Sequence, residues 1–368
     1  MSDGLIAARI KVRREALGFT QDGVTKLLGF SDRQTLSAIE NGDRRVSASE
    51  LVRFAEVLAA PLTYFTDPFL LAGVGRFSWR QAGVPPQKLA DYEEHAGRLI
   101  ALYRALGTEL GRRPPLLRQA LGLTKASSYE EAMVAGERFA EEFGLGPVPS
   151  RRLAEVMQER LGILVLMVDA IRGVSGAACH LPELDAVLIN RQEVAGRRHY
   201  DLAHELFHIL TWDAMPPDHL EDTVAAPKGR VEQLADNFAA AVLMPSSVIA
   251  PFGPWADLAD DALVSRLNDT AEALGVSASA LRWRLVAAGM LTKGRAKTVD
   301  ENALRNNGRK PVAVEAPPLF SRPFAELVTQ AVDEGLISAR KVAGLLDMPL
   351  DDVADAFAAQ GVAFDPGL

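Results

Sequence analysis

The spacing of apolar residues divides the chain into helical runs interrupted by one compact group of strands. Apolar positions three or four apart recur over 5–17, 22–28, 32–40, 93–106, 129–143, 151–161, 231–243, 261–290, 338–346 and 350–357, each predicting a helix with one buried face. Residues 163–168, Ile-Leu-Val-Leu-Met-Val, form an unbroken apolar run that predicts a buried strand. Residues 176–180 and 186–190 read as paired strands around a turn at Pro182-Glu183. Punctuation supports the early helices: Thr20 and Gln21 open one that Gly29 closes, and Ser31 caps the next, which ends at Asn41-Gly42. The pattern predicts a mainly α chain with a small α+β domain, its sheet packed on one apolar helix.

That helix contains His199 to Leu210 and carries a His-Glu-x-x-His motif. His204 and His208 lie one turn apart, so their imidazoles share a face. Two nitrogens so placed can hold one zinc ion, with Glu205 set to take a proton from water instead of binding metal. Leu202, Ala203, Leu206, Ile209 and Leu210 make most of the surface apolar, so polar groups on it need partners. A catalytic zinc keeps three protein ligands and one open position. The run 231–243, stopped by Pro245, offers Glu232 as the third ligand and Asp236, one turn on, to accept the distal N–H of a ligating imidazole. Taken singly, Glu232 fits a solvated acid at a helix start better than a ligand.

Composition narrows the classes. A single cysteine, Cys179, excludes intrachain disulfides and Cys-rich zinc sites. The net charge of −8 argues against a protein that coats nucleic acid, while leaving room for a local DNA-reading face. Residues 1–14 lack an apolar leader and no 18-residue apolar run occurs, so a cytoplasmic protein with no membrane partner is expected.

Several stretches carry a family resemblance. Ala186-Val187-Leu188-Ile189-Asn190, then Arg198 leading into Ala203-His204-Glu205-Leu206, then Glu232-x-x-Ala235-x-x-Phe238-Ala239 closing on Leu243-Met244-Pro245, resemble the ImmA/IrrE metallopeptidases over about 150 to 290. The resemblance implies zinc, with manganese the alternative, on His204, His208 and Glu232, and a catalytic Glu205. It also implies a protein substrate of the helix-turn-helix repressor type and a stress or mobile-element setting. Just before the second histidine, where that family often has a small residue, stands Phe207.

Residues 5–66 are similar to XRE/Cro-type helix-turn-helix domains through Thr20-Gln21, Gly29-Phe30-Ser31, Leu36 to Gly42 and Arg44-Arg45. The likeness implies a five-helix domain in which Arg33, Gln34, Thr35 and Ser37 face base edges while Gln21, Arg44 and Arg45 touch phosphates. Residues 1–60 hold nine basic and eight acidic residues, a net of +1, so weak binding that depends on a homodimer is expected. A helical bundle for protein contacts is the alternative.

The expected layout is a helix-turn-helix domain at 1–68, a helical connector at 69–148 in which Trp79 and Tyr92 pack, the metallopeptidase-like domain at 149–250, a helix-turn-helix-like segment at 251–291, a polar linker at 292–318 and a small helical unit at 319–368. The sheet should offer an edge to an extended peptide, with His199 and Tyr200 as donors near the reacting group. Two functions follow: a zinc peptidase that cleaves a repressor-type partner, or a DNA-binding regulator whose peptidase-like domain senses a ligand or partner without cutting.

Overall fold

The computed structural model describes residues 3–112, 121–223, 228–310 and 315–365. Five helices open the chain: α1 (Asp3–Ala16), α2 (Gln21–Leu28), α3 (Arg33–Glu40), α4 (Ala48–Val57) and α5 (Leu62–Thr66). Ile10, Val24, Leu28, Leu36, Ile39, Phe54 and Phe65 form their core. Thr20 caps α2 through the Gly23 amide, and Gly29 ends it at φ 65°, a conformation glycine adopts without strain. The cap of α3 is Asp32, not Ser31: its carboxylate accepts from the Thr35 amide, and Ser31 is one residue too early to reach it. Glu40 accepts from Arg14 at 2.6 and 2.9 Å and from Gln21 at 2.8 Å, a buried network tying α1 and α2 to the end of α3.

The next stretch departs from the expected helical connector. β1 (Arg76–Gln81) precedes α6 (Pro86–Glu109), α7 (Tyr129–Glu142) and α8 (Pro149–Glu159), and it belongs to the sheet. β2 (Leu164–Val168), β3 (Val174–His180) and β4 (Asp185–Asn190) follow, then α9 (Ala195–Thr211), β5 (Leu220–Asp222) and α10 (Arg230–Leu243). The five strands run in the order β2-β4-β3-β1-β5. β3 pairs antiparallel with both β4 and β1, whereas the outer pairs β2/β4 and β1/β5 are parallel.

Alternation along the strands gives the sheet two covered faces. Phe77, Trp79, Leu164, Leu166, Ala186 and Leu188 point to one side, against α6 and the C-terminal helices α16 (Arg322–Asp333), α17 (Ala339–Leu346) and α18 (Leu350–Ala359). Val165, Ala178, Val187 and Ile189 point to the other, against α9. Before those C-terminal helices come α11 (Ser246–Ile249), α12 (Asp260–Leu274), α13 (Ala278–Ala287), α14 (Lys293–Thr298) and α15 (Glu301–Leu304). α12 and α13 share the core of α9 and α10, so 251–291 is no separate segment. The expected linker is folded over 293–308, because Ala296, Val299 and Leu304 are buried against that core and Asn307 bonds the Ala278 amide and the Val276 carbonyl. Residues 311–314 of that linker lie outside the described residues. The unit from 319 is likewise part of the body, joined by the Met167–Phe320 bridge.

α10 is held by unusually close packing on α7. A Cβ built at Gly136 would lie 2.6 Å from the Phe238 carbonyl, so only glycine permits this approach. Among the described residues no single helix is long and apolar enough to cross a membrane.

Candidate metal centre

α9 is buried on nearly every side: His204 is 0% exposed, and Glu205 and His208 are 1% exposed. Its histidines turn their Nε2 atoms toward each other, 3.1 Å apart. α10 brings Glu232 Oε2 to 3.0 Å from His204 Nε2 and 3.4 Å from His208 Nε2. Asp236, one turn along α10, bonds His204 Nδ1 at 3.1 Å, and its other oxygen accepts from Lys228 at 2.7 Å. His204, His208, Glu232 and Glu221 of β5 each offer an atom within 4.8 Å of the others.

Two members of this cluster were not among the expected residues. Arg80 of β1 lies 2.9 Å from Asp201, donates at 2.8 Å to both Glu221 oxygens, and stands 3.0 Å from His204 Nε2. Strict alternation, Phe77 and Trp79 against Ser78 and Arg80, was the available signal. For Glu221 there was none, since three residues of strand carry no period.

The donor set fits a divalent cation. His204 Nε2 is approached by His208, Glu232, Glu221 and Arg80, yet an imidazole nitrogen either donates one hydrogen or accepts with one lone pair. A cation shared with His208 and the carboxylates satisfies all the ligand atoms, and a two-imidazole, carboxylate set suits zinc. The electrostatics agree. Against burial and Arg80, the Asp236, Glu221 and Glu232 carboxylates raise the His204 pKa well above its usual value, so the pocket draws positive charge. Burial opposes ionisation of Glu232, but hydrogen bonds to His204 and His208 hold it well below the carboxylate range.

Glu205 behaves differently. Burial, opposed by His204 and Arg80 and assisted by Glu221 and Glu232, pushes its carboxyl up to about 8. Its Oε2 is buried and has no hydrogen-bond partner among the described residues. A cation bound beside it would favour the ionised form, and a carboxylate oxygen so placed is then suited to accept a proton from a guest molecule.

Other expected residues fall elsewhere. His199 Nδ1 bonds the Gly275 carbonyl at 2.7 Å and Tyr200 donates to the Asp236 carbonyl at 3.1 Å, so both brace helices instead of facing a substrate. Phe207 is fully buried. Its ring lies 5.5 Å from Phe238 of α10, while β3 approaches Glu205 at Gly176. In α3, Arg33 and Gln34 are exposed and Thr35 and Ser37 half-buried; Arg33 bonds Gln21 at 2.9 Å, Thr35 is tied to Asp32, and Arg44 bonds Glu50 at 2.7 Å. Clefts of about 830 and 800 Å³, lined by Tyr103 and Leu327 in one and Glu141 and Phe252 in the other, lie away from this centre.

Comparison with known proteins matches two stretches of the chain. Residues 5–63 match the family model described as a helix-turn-helix domain, and residues 158–286 match that of peptidase family M78, described as an IrrE N-terminal-like domain. The chain is a fusion of these two domains. Over 63 residues the chain is 36% identical to an uncharacterized transcriptional regulator in the ATPase CF(0) region of Rhodospirillum rubrum, a match that covers 17% of this chain and 57% of that protein. The fusion thus joins a regulator-type helix-turn-helix to a metallopeptidase-like body, with the cluster on α9 and α10 inside the second match.

Proposed function

We propose that this fusion is a DNA-associated zinc peptidase that makes a restricted cut in a protein partner, in the first instance a helix-turn-helix repressor. The observation that carries the reading is the convergence of His204, His208 and Glu232 around one point, beside a Glu205 oxygen that has no partner among the described residues. Bound there, zinc or manganese would polarise a scissile carbonyl and lower the pKa of water. Asp236 Oδ1 takes the Nδ1 hydrogen of His204 and so keeps the Nε2 lone pair directed inward. Glu205 Oε2 takes a proton from the attacking water and returns it to the leaving nitrogen. The rival reading, a regulator that binds and does not cut, draws on the burial of Glu205.

The first test is metal analysis of the full chain. One ion per chain is expected, with His208→Ala lowering affinity by roughly a hundredfold or more, since even groups that only orient ligands are worth ten- to hundredfold. Fragments of a co-expressed repressor should appear with wild type and stop on chelation. Stoichiometric metal persisting in His208→Ala would remove the centre from the account.

For the DNA-facing side, Gln34→Ala should weaken binding to a selected operator roughly tenfold and relax preference at one base pair. Arg45→Ala should instead weaken all sequences alike and reduce the salt slope by about 1. Fluorescence anisotropy at several salt concentrations separates the two patterns, and unchanged slopes and preferences in both variants would leave the helical bundle as a protein-contact module.

A further inference from the structure

We infer that Glu221 is a fourth protein ligand of the metal centre, delivered by β5, which lies on the sheet edge where a peptide substrate would add. The inference rests on the metal-centre reading above and deepens it.

The coordination argument begins with burial. Glu221 is 8% exposed although it sits on a three-residue edge strand flanked by exposed Leu220 and Asp222. Its carboxylate is 3.3 Å from His204 Nε2 and is part of the same four-residue cluster. Catalytic zinc sites keep one position open, whereas a site with four protein ligands is closed. With Glu221 in place this centre is of the closed kind.

The backbone argument is independent of the carboxylate. β5 runs parallel to β1 with Trp79 opposite Leu220, Arg80 opposite Glu221 and Gln81 opposite Asp222. The Trp79 amide donates to the His219 carbonyl at 2.8 Å, the Thr223 amide donates to the Gln81 carbonyl at 2.9 Å, and Ser78 Oγ donates to the Asp218 carbonyl at 2.8 Å. Those β1 groups are what an added substrate strand would use. The expected free edge beside the centre is therefore filled from within. Arg80 couples the two effects, since it sits on β1 and clamps Glu221 with both oxygens at 2.8 Å.

Consequently one movement, peeling β5 from β1, would vacate a ligand position and expose the docking edge. The hydrogen bonds to β1 and the Arg80 clamp oppose it, but the segment is three residues long with Leu220 46% exposed, and short edge segments open more cheaply than core strands. A partner peptide that takes the β1 edge displaces the strap and completes the site.

The test uses the full chain loaded with cobalt(II) as a spectroscopic replacement for zinc. Its visible absorption is followed while acetohydroxamate, a small chelating anion, is added. Wild type should take up one cobalt and respond weakly. Glu221→Ala, and separately Thr223→Pro, which removes the amide bonded to Gln81 but keeps Glu221, should bind the anion at least about tenfold more tightly. If Glu221→Ala holds no cobalt, the anion titration of Thr223→Pro, which keeps every ligand, decides the proposal. If wild type takes up no cobalt, the metal centre itself is wrong. If wild type loads cobalt and all three proteins bind the anion equally, the centre stands and the role of β5 falls.

Discussion

Glu205→Gln is expected to stop cleavage while leaving the ion in place. The substitution keeps the size of the side chain and removes its ability to carry a proton, and positioned general bases contribute on the order of 10²- to 10⁴-fold. Glu205 donates nothing to the cluster of ligand atoms, so metal content should equal that of wild type. Fragment release from a co-expressed repressor, together with metal content, checks both halves. If the two proteins release the same fragments, Glu205 is not the base. If neither releases any while both hold metal, the non-cutting regulator becomes the better account.

Phe207→Ala is expected to destabilise the body by roughly 3–5 kcal/mol, the range for emptying a buried aromatic site. Phe207 is fully buried, its ring against Phe238, which in turn meets Phe139 at 6.1 Å, so the ring links α9 to the α7–α10 pair. The same ring lies 5.8 Å from the His208 ring. Loss of packing should therefore loosen metal binding as well as lower the denaturant midpoint, and metal should partly restore the midpoint by mass action. A loss below about 1 kcal/mol would mean that the site collapses freely and that the ring is not a keystone. Restoring the small residue common in the resembling family is thus predicted to harm this chain, because Phe238 and Phe139 are arranged for a large neighbour.

These particulars explain what the sequence made legible. The His-Glu-x-x-His run and the helix bearing Glu232 and Asp236 were readable because helical spacing fixes which side chains share a face, and a proline marked the end. The first three helices were readable through Thr20, Gly29 and Asn41-Gly42, whereas the fourth and fifth followed only from the resemblance. β1 was missed because its pairing partner begins nearly a hundred residues later, and a six-residue alternation is weak beside the long helices that surround it. With it went Arg80, the cation at the centre of the site. Residues 293–308 looked like linker because their charges outnumber their apolar residues, yet a few buried side chains sufficed to dock them. Glu221 lay beyond any local signal, since its role comes from topology alone.

One covalent detail ties the two ends of the molecule together. Only residues 67–75 separate α5 from β1, and they are fastened at Leu70 by Arg9 and at Ala72 by Tyr64. So brief and braced a tether leaves little slack to absorb torque. The first five helices are thereby moored directly to β1, the strand that carries Arg80 and pairs with β5, so a displacement of one domain would be felt first at the strand beside the metal centre and not at a loose hinge.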